Sequence, residues 1–331
     1  MTASRTPSHQ IVDPSVWKSD DFGPTRSWVH DFTDAQITEL VEFTRGAVKQ
    51  GLDYVAISKI GVSLPLCASL MAVVYHELEE GAGFSVIGRF PVERFTYAES
   101  LIAYAALTNF LGRLVDQTYS GEMKADVKDL GVAYSKDVRG YKSNAMLRFH
   151  TDGAAFTGLL CLGESAEGGL SVLTSSGALN NELREVHPDA YRLLEEGFHH
   201  HRRGEHAPGE NKVSARPIPV FAFYDGLLQC TYDRNQSIWS AEEGVVFTPE
   251  QIAAMDLLDA TMARPEFQLH MEMRTGDIQF VNNYTVMHAR TEYRNSAEKQ
   301  RHLVRYWIDP VDGKRKGFTT RDLYTRASEH V

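Results

Sequence analysis

The sequence predicts a mainly β fold with flanking helices: a helical N-terminal layer packed on a double-stranded β-helix, or jelly-roll, core. Two observations predict it. Helical patterns dominate residues 1–112, whereas from residue 113 onward short strand-like runs alternate with Gly, Asn and Asp. Many short strands at such spacing are typical of a sandwich or jelly roll rather than a parallel sheet. No repeat, low-complexity tract or obvious linker divides the chain. We therefore expect a single domain over residues 1–331, with a helical layer at 1–112 and a jelly-roll core with an insert at 113–310.

The N-terminal layer follows from helix start signals and apolar spacing. Thr33 with Gln36, and Thr96 with Glu99, form capping boxes that mark the first turn of a helix. Apolar residues recur at helical spacing after the first of them, and the first thirty residues suggest an irregular arm. The predicted elements are helices over residues 33–51, 66–80 and 96–112 and a strand over residues 84–90.

The core follows from short apolar runs bounded by turn residues. One further helix is predicted within it, over residues 181–197. The predicted strands are residues 115–119, 145–150, 157–162, 170–173, 217–224, 227–232, 267–273, 278–281 and 302–308.

Composition narrows the class of protein. With 34 Lys plus Arg against 44 Asp plus Glu, the net charge is −10, which disfavours nucleic acid or an anionic membrane as a partner of the whole surface. Long apolar runs and a signal-like N-terminus are lacking, so we expect a cytoplasmic protein that does not span a membrane. The oligomeric state stays open. Cys67, Cys161 and Cys230 are widely spaced and odd in number, which favours buried free thiols.

The run Arg148-Phe-His150-Thr-Asp152 is the most informative motif. Side chains alternate along a strand, so all three polar residues point to one face, as suits a wet cavity. A histidine and a carboxylate there, with a second histidine from a distant strand, would form a facial triad for Fe(II). Taken alone, the pair could equally be a strand-end hydrogen bond.

Three residues near the C-terminus are candidates for the same cavity. His288 lies in apolar surroundings, and a buried histidine needs a partner or a metal. Arg301 and Arg305 share one face of a strand, where inward guanidinium groups are costly unless they meet anions. The alternative is an internal ion pair, for instance with Asp277 or Glu292.

Other chemistries are less well supported. The run His199-His200-His201 with Arg202 and Arg203 resembles a second metal feature, but adjacent strand residues point to opposite faces, and we expect it on the surface. A zinc hydrolase using the same triad leaves the paired arginines unexplained, and the sequence has no HExxH. A non-catalytic binder of 2-oxoglutarate or metal would not need a complete triad. Neither nucleotide-binding motifs nor GxSxG occur.

The chain resembles the TauD/TfdA family of Fe(II)- and 2-oxoglutarate-dependent dioxygenases, whose relatives include clavaminate synthase and amino-acid hydroxylases. The resemblance rests on an ordered set of motifs, among them Phe-His-Thr-Asp-Gly before a double glycine and Val-Met-His-Ala-Arg-Thr before Arg-His-Leu-Val-Arg. They are residues 138–144, 149–153, 159–162, 167–171, 276–283, 286–291 and 301–305.

The resemblance implies a cofactor set and its residues. His150, Asp152 and His288 match the iron ligands. Arg301 matches the arginine that pairs with 2-oxoglutarate, and Ser171 the hydroxyl residue that helps to hold it. Iron, 2-oxoglutarate and dioxygen would together oxidise a C–H bond, with release of succinate and carbon dioxide. Because a carboxylate stands at residue 152, where related halogenases have a small residue, halogenation is disfavoured.

The substrate is predicted less closely. Arg305 matches a pocket-lining arginine of the family, and Gln117 lies on a strand that carries a substrate-contacting residue in relatives. Arg148 is predicted either to clamp a substrate carboxylate or phosphate together with Arg305, or to pair with an acidic residue at the rim. We expect a small polar metabolite, such as an amino acid or natural-product intermediate, and hydroxylation, with desaturation or cyclisation left open. Further pocket candidates are Tyr141, Asn144, Arg234 and Tyr284.

Overall fold

A computed structural model of the protein describes residues 10–23, 26 and 28–315. The helices within this part are α1 Asp34–Lys49, α2 Tyr54–Ile57, α3 Pro65–Glu79, α4 Tyr97–Thr108, α5 Ser176–Val186, α6 Pro188–Glu196, α7 Arg234–Ser240 and α8 Pro249–Met262. The strands are β1 Val29–Asp31, β2 Phe84–Gly88, β3 Arg113–Val115, β4 Lys124–Val127, β5 Leu147–His150, β6 Phe156–Gly163, β7 Glu167–Gly168, β8 Ser171–Ser175, β9 Phe221–Tyr224, β10 Leu227–Cys230, β11 Leu269–Met271, β12 Ile278–Asn282, β13 Val286–Arg290, β14 Tyr293–Arg294 and β15 His302–Asp309.

Two sheets form the core of the fold. The larger has the order β1-β2-β12-β6-β15-β3, with β4 also paired to β15, and the smaller has the order β11-β8-β13-β5. Apart from the parallel pair of β1 and β2, the strands in both sheets pair antiparallel. Apolar side chains of the two sheets pack together, among them Phe84 and Val281 of the larger with Leu173 and Val286 of the smaller. The predicted jelly-roll class is therefore confirmed.

The N-terminal helices cover the larger sheet. Residues of α1, α3 and α4 share one apolar core with β6, β12 and β15. Within it the rings of Tyr104 and Tyr306 stack with centroids 4.5 Å apart. Gly158 of β6 allows this approach, because a Cβ there would lie 2.2 Å from the Tyr104 hydroxyl oxygen. This packing fixes β15, the strand that carries Arg305.

The insert, which is the segment between β8 and β11, has an apolar core of its own. Helices α5, α6 and α8 bury apolar residues together with β9 and β10, and this cluster includes Met287 of β13. The insert therefore packs against the smaller sheet at the strand that carries His288. Between α6 and β9 the chain runs through residues 198–216, a stretch with isolated bridges only.

Most predicted elements are present, with the following differences. The predicted strand 115–119 ends at Val115, because residues 117–122 form a turn closed by the Gln117 amide donating to the Glu122 carbonyl oxygen at 2.7 Å. The predicted helix 181–197 is two helices, since Pro188 disfavours helical backbone at the residue before it. Helices α2, α7 and α8 and strands β1, β4, β7, β13 and β14 lie outside the predicted ranges, although Thr248 and Gln251 form a capping box at the start of α8. The three cysteines are buried free thiols, as predicted.

Candidate active site

Two strands of the smaller sheet bring the predicted histidines together. His150 and His288 are register partners on β5 and β13, and directly opposite residues project to the same face. Their ring centroids lie 4.4 Å apart. Asp152 follows β5, and its Oδ2 lies 3.5 Å from His288 Nε2. One possible ligand atom from each of the three lies within 4.8 Å of the others.

Neighbouring groups orient these side chains. His150 Nδ1 lies 2.8 Å from the Arg148 carbonyl oxygen, and donation there leaves Nε2 as the free ring nitrogen. Asp152 Oδ1 accepts from Arg305 Nη1 at 2.9 Å, and Oδ2 accepts from the Thr157 hydroxyl at 2.8 Å. Each carboxylate oxygen is thus held by a different neighbour.

The electrostatics favour the metal-ligating forms of Asp152 and His150, which are an ionised carboxylate and a neutral imidazole. Burial raises the pKa of the Asp152 carboxyl, but Arg305 and the two imidazoles outweigh it and hold that pKa well below its usual range. Burial, followed by the neighbouring His288, lowers the pKa of His150. A charged carboxylate beside neutral imidazole is the state that ligates a metal.

Two nitrogen donors and one oxygen donor in this arrangement fit Fe(II), with positions left for other ligands. In the described part of the chain, no other histidine, cysteine or acidic cluster has this geometry. The run at residues 199–201 does not, and its predicted surface position is wrong: His200, His201 and Arg202 are buried. Burial of this run follows from its place between α7 and residues 213–214: the His201 backbone amide donates to the Gln236 carbonyl oxygen, and the Ser214 amide donates to the His200 carbonyl oxygen.

A small cavity of about 50 Å³ lies on one side of the triad. Arg301 and Ser171 line it, as predicted from sequence, together with Arg290. The guanidinium groups of Arg290 and Arg301 lie 4.8 and 5.1 Å from the ring centroid of Tyr293. Nε and Nη1 of Arg290 and Nη1 of Arg301 are buried and have no hydrogen-bond partner among the described residues.

The charge of this cavity is strongly positive. Burial, followed by Arg301, lowers the pKa of Arg290 to about 10, and burial lowers the pKa of Arg301. No carboxylate of the described residues pairs with either, and Asp277 pairs instead with Arg26 at 2.8 Å. The alternative considered from the sequence, an ion pair of Arg301 with Asp277 or Glu292, is therefore not formed in this part of the chain. Two buried guanidinium groups without an anion predict an anionic ligand.

The double glycine places Arg301. Gly169 has a φ of +71°, and a Cβ there would lie 2.9 Å from Arg301 Nε. A side chain at this position would therefore displace the guanidinium, and the left-handed backbone itself favours glycine. Ser171, two residues later, donates from its hydroxyl to Gln279 Oε1 at 2.8 Å.

A larger cavity of about 400 Å³ opens on the other side of the triad. His150, Tyr141, Leu147 and Arg305 line both cavities. The residues predicted for the substrate pocket that line the larger cavity are Gln117, Tyr141, Arg148 and Arg305, whereas Asn144, Arg234 and Tyr284 are not among the lining residues of either cavity.

The two arginines of the predicted clamp have partners within the protein. Arg305 pairs with Asp152, and its Nε donates to Gln117 Oε1 at 2.9 Å. Arg148 lies 3.4 Å from Asp259 of α8, with its side chain 51% exposed. This is the rim pairing that the sequence left as an alternative.

Several cavity residues were missed by sequence reasoning. Arg290 could have been found, because it stands two positions after His288 on the same strand and so shares its face. No such signal was available for the other missed residues, because they lie on connecting segments whose position is not set by strand periodicity: Arg139, Arg202, Arg203 and Glu205.

None of the described helices is long and apolar enough to span a membrane.

Comparisons with known proteins agree with this geometry. The model of the family described as "Taurine catabolism dioxygenase TauD, TfdA family" matches residues 50–307. FR-33289 synthase from Streptomyces rubellomurinus is 28% identical over 312 residues, which cover 92% of this chain and 91% of that protein. The taurine hydroxylase-like protein SAT17 from Stachybotrys chartarum is 24% identical over 312 residues, covering 89% and 79%.

Solved structures share the fold at low identity. Asparagine oxygenase in complex with Fe(II), a hydroxyasparagine and succinate has a TM-score of 0.65 at 14% identity, covering 85% of this chain and 94% of that one. The non-heme iron oxygenase OrfP in complex with Fe and α-ketoglutaric acid has a TM-score of 0.62 at 16% identity, with coverages of 85% and 94%.

The family match spans most of the chain and includes His150, Asp152, His288, Arg301 and Arg305. The protein belongs to the TauD/TfdA dioxygenase family, and its predicted class, an Fe(II)- and 2-oxoglutarate-dependent oxygenase, is confirmed.

Proposed function

We propose that His150, Asp152 and His288 hold the iron and that the enzyme oxidises a C–H bond of a small polar metabolite bound in the larger cavity. One observation carries this proposal. The three donor atoms converge within 4.8 Å at the boundary between a small cationic cavity and a larger one. Cosubstrate and substrate would therefore meet at the same point from opposite sides.

The protein's own contribution is position and charge. Iron bound at the triad supplies the activation of dioxygen, coupled to oxidative decarboxylation of 2-oxoglutarate to succinate and carbon dioxide. Arg305 and Thr157 fix the Asp152 carboxylate, and the Arg148 carbonyl oxygen fixes the His150 ring. Such outer contacts set the direction of the donor atoms and thereby the place of the reacting bond.

The small cavity is proposed as the 2-oxoglutarate site. Arg301 would pair with the distal carboxylate, as guanidinium groups do bidentately, and Ser171, whose hydroxyl donates to Gln279, would line the site beside it. Arg290 would contribute a second positive charge through its free nitrogens. Tyr293, whose ring lies against both guanidinium groups, would keep the two arginines in place.

Hydroxylation of an amino acid or a natural-product intermediate is the proposed outcome in the larger cavity. The complexes of asparagine oxygenase with hydroxyasparagine and of OrfP with a hydroxylated L-Arg support it, as does the polar lining of this cavity. Desaturation or cyclisation would use the same site with a different placement of the target bond. Among the sequence candidates, Gln117, Tyr141, Arg148 and Arg305 keep a proposed role in lining the substrate site.

Anaerobic titration with Fe(II) and 2-oxoglutarate tests the proposal directly. We expect a weak visible charge-transfer band in the wild type that is lost in His150→Ala and Arg301→Ala. The matched controls are His270→Ala and Arg294→Ala, which change exposed residues of the same types. With the band established, release of succinate in the presence of oxygen identifies substrates from an amino-acid panel.

Each outcome decides one part of the proposal. A band that survives both site variants would place iron or cosubstrate elsewhere in the molecule. Well-folded protein that binds iron at His150 but gives no band with 2-oxoglutarate would refute the assignment of the small cavity.

A further inference from the structure

The walls of the larger cavity carry five arginines, and four of them already have an acidic partner. Arg148 and Asp259 are 3.4 Å apart, and the Arg202–Glu210 distance is 3.1 Å. The pairs are Arg139–Glu205, Arg148–Asp259, Arg202–Glu210 and Arg305–Asp152. These four charges are balanced within the protein.

The remaining lining arginine, Arg203, has no such partner. No ion pair of the described residues includes it, and its Nε is buried without a hydrogen-bond partner. Its Nη2 donates to the Val138 carbonyl oxygen at 3.3 Å. The guanidinium carbon lies 5.0 Å from the ring centroid of Trp239 and 5.6 Å from that of Tyr134. Aromatic rings orient and partly stabilise a cation, but they leave its hydrogen-bond donors free.

The acidic residues nearby are occupied by other groups. Glu205 accepts from the Tyr119 backbone amide as well as from Arg139. Asp233 accepts from the backbone amides of Asn235 and Gln236 at 2.9 and 3.2 Å, where it caps α7. The positive charge of Arg203 therefore faces a cavity whose described carboxylates are committed elsewhere.

The backbone at this residue is also unusual. Arg203 has a φ of +52°, in the left-handed region that costs a long side chain free energy. Among the described residues other than glycine, Arg89 and Asp225 also have a positive φ, but neither lines the larger cavity. Strain retained at a cavity wall suggests that the direction of the side chain matters for function.

We propose that Arg203 binds an anionic group of the primary substrate, a carboxylate, a phosphate or a sulfonate, and so determines the substrate class. This inference rests on the proposed function, because it takes the larger cavity as the substrate site. It moves substrate recognition from the predicted pair of Arg148 and Arg305 to a residue of the insert.

The test uses four small amines that differ in one terminal group: γ-aminobutyrate, aminopropyl phosphate and homotaurine, which end in an anion, and aminopropanol, which ends in an uncharged hydroxyl. Each is titrated anaerobically into the full-length protein loaded with Fe(II) and 2-oxoglutarate, and its dissociation constant is taken from the change in the visible band. We expect at least one anionic amine to bind wild type about tenfold or more tightly than aminopropanol. The anion that binds most tightly identifies the terminal group.

Three variants of Arg203 separate recognition from folding. Arg203→Gln should abolish the preference for anions, and Arg203→Lys should keep part of it. Arg203→Gly removes the guanidinium and also relieves the backbone, so its melting temperature should equal or exceed that of wild type while the preference is lost. Arg216→Gln, at an exposed arginine of the same insert, should behave as wild type.

The outcomes distinguish this inference from the proposed function. A normal band without any preference for anions, or a preference that survives in Arg203→Gln, overturns the inference and leaves the proposed function standing. A lower melting temperature of Arg203→Gly with the preference intact would make Arg203 a structural residue, which also overturns it. If wild type forms no band, the proposed function fails, and the inference fails with it.

Discussion

The two cavities on either side of the triad are built in different ways. Most residues that line the small cavity lie on strands, among them Ser171 on β8, Gln279 on β12, and His288 and Arg290 on β13, and Arg301 directly precedes β15. The outer wall of the larger cavity is lined by connecting segments, around residues 117–119, 134–141 and 202–210. Strand register fixes the first set of side chains relative to one another, whereas the second set depends on loops held by ion pairs.

Under the proposed function, this difference separates two tasks of the enzyme. The small cavity would hold a single cosubstrate, 2-oxoglutarate, and a rigid sheet suits a ligand that does not change. Loops accept substitution and insertion without disturbing the sheet, so the wall that they form is suited to a substrate that varies. We therefore expect changes in the strands to abolish turnover with every compound and changes in the loops to alter which compound is used.

The largest effect should come from the carboxylate of the triad. Asp152→Asn removes the negative charge that Arg305 and the two imidazoles stabilise, so iron affinity should fall by more than about 100-fold, the upper range for changes in outer contacts. Anaerobic iron titration and succinate release measure it. Turnover should be lost with all compounds alike, in contrast to the selective change expected of Arg203 variants.

Asp34→Asn is the matched control, since the Asp34 side chain is 91% exposed and pairs with Arg89 on the surface. Iron affinity within about threefold of wild type in Asp152→Asn would contradict the assignment of this residue as a ligand.

The sequence predicted the strand-built half of the site well and the loop-built half poorly, for a physical reason. His150 and Asp152 share a face through the two-residue period of a strand, and the same period relates His288 to Arg290. Such periods can be read from sequence. The contact of Arg203 with Trp239 depends on the path of residues 198–216. Because this segment has no helix or strand, no periodic pattern in the sequence predicts that path. For the same reason the sequence left open whether Arg148 binds substrate or pairs with an acidic residue at the rim, because its partner Asp259 lies on α8, a helix that was not predicted.

A second strand-side prediction concerns Arg290. Loss of one charge-assisted hydrogen bond costs about 1.5–3 kcal/mol, so Arg290→Met should raise the KM for 2-oxoglutarate about tenfold or more while kcat changes less. Arg290→Lys should recover part of the affinity, because it keeps the charge. The KM is measured by succinate release at saturating substrate. An unchanged KM with a lower melting temperature would instead mean that Arg290 has a structural role, in which its Nη2 donates to the carbonyl oxygens of Ser143 and Ala145.

The smallest predicted effect concerns the loss of stability in acid, which should arise at a residue of the insert, His200, rather than in the two sheets. Burial lowers the pKa of His200 to about 4, and neither ring nitrogen has a partner among the described residues. In the unfolded chain His200 takes up a proton near pH 6.5, whereas in the folded chain it stays neutral until the pH approaches 4. The free energy of unfolding therefore falls as the pH drops from 6.5 towards 4. At about 1.4 kcal/mol per pH unit, this residue alone should remove about 2 kcal/mol by pH 5.

His200→Leu cannot be protonated, so it should lose about 2 kcal/mol less stability than wild type between pH 7 and pH 5, as measured by urea unfolding at the two values. It should also fold well, since replacing an unpartnered buried ring leaves no hydrogen bond broken. His270→Leu, at an exposed histidine, should follow wild type. Equal losses in wild type and His200→Leu would mean that the folded insert takes up the proton, and that the acid response arises at another group, such as the buried His150, whose pKa is also lowered.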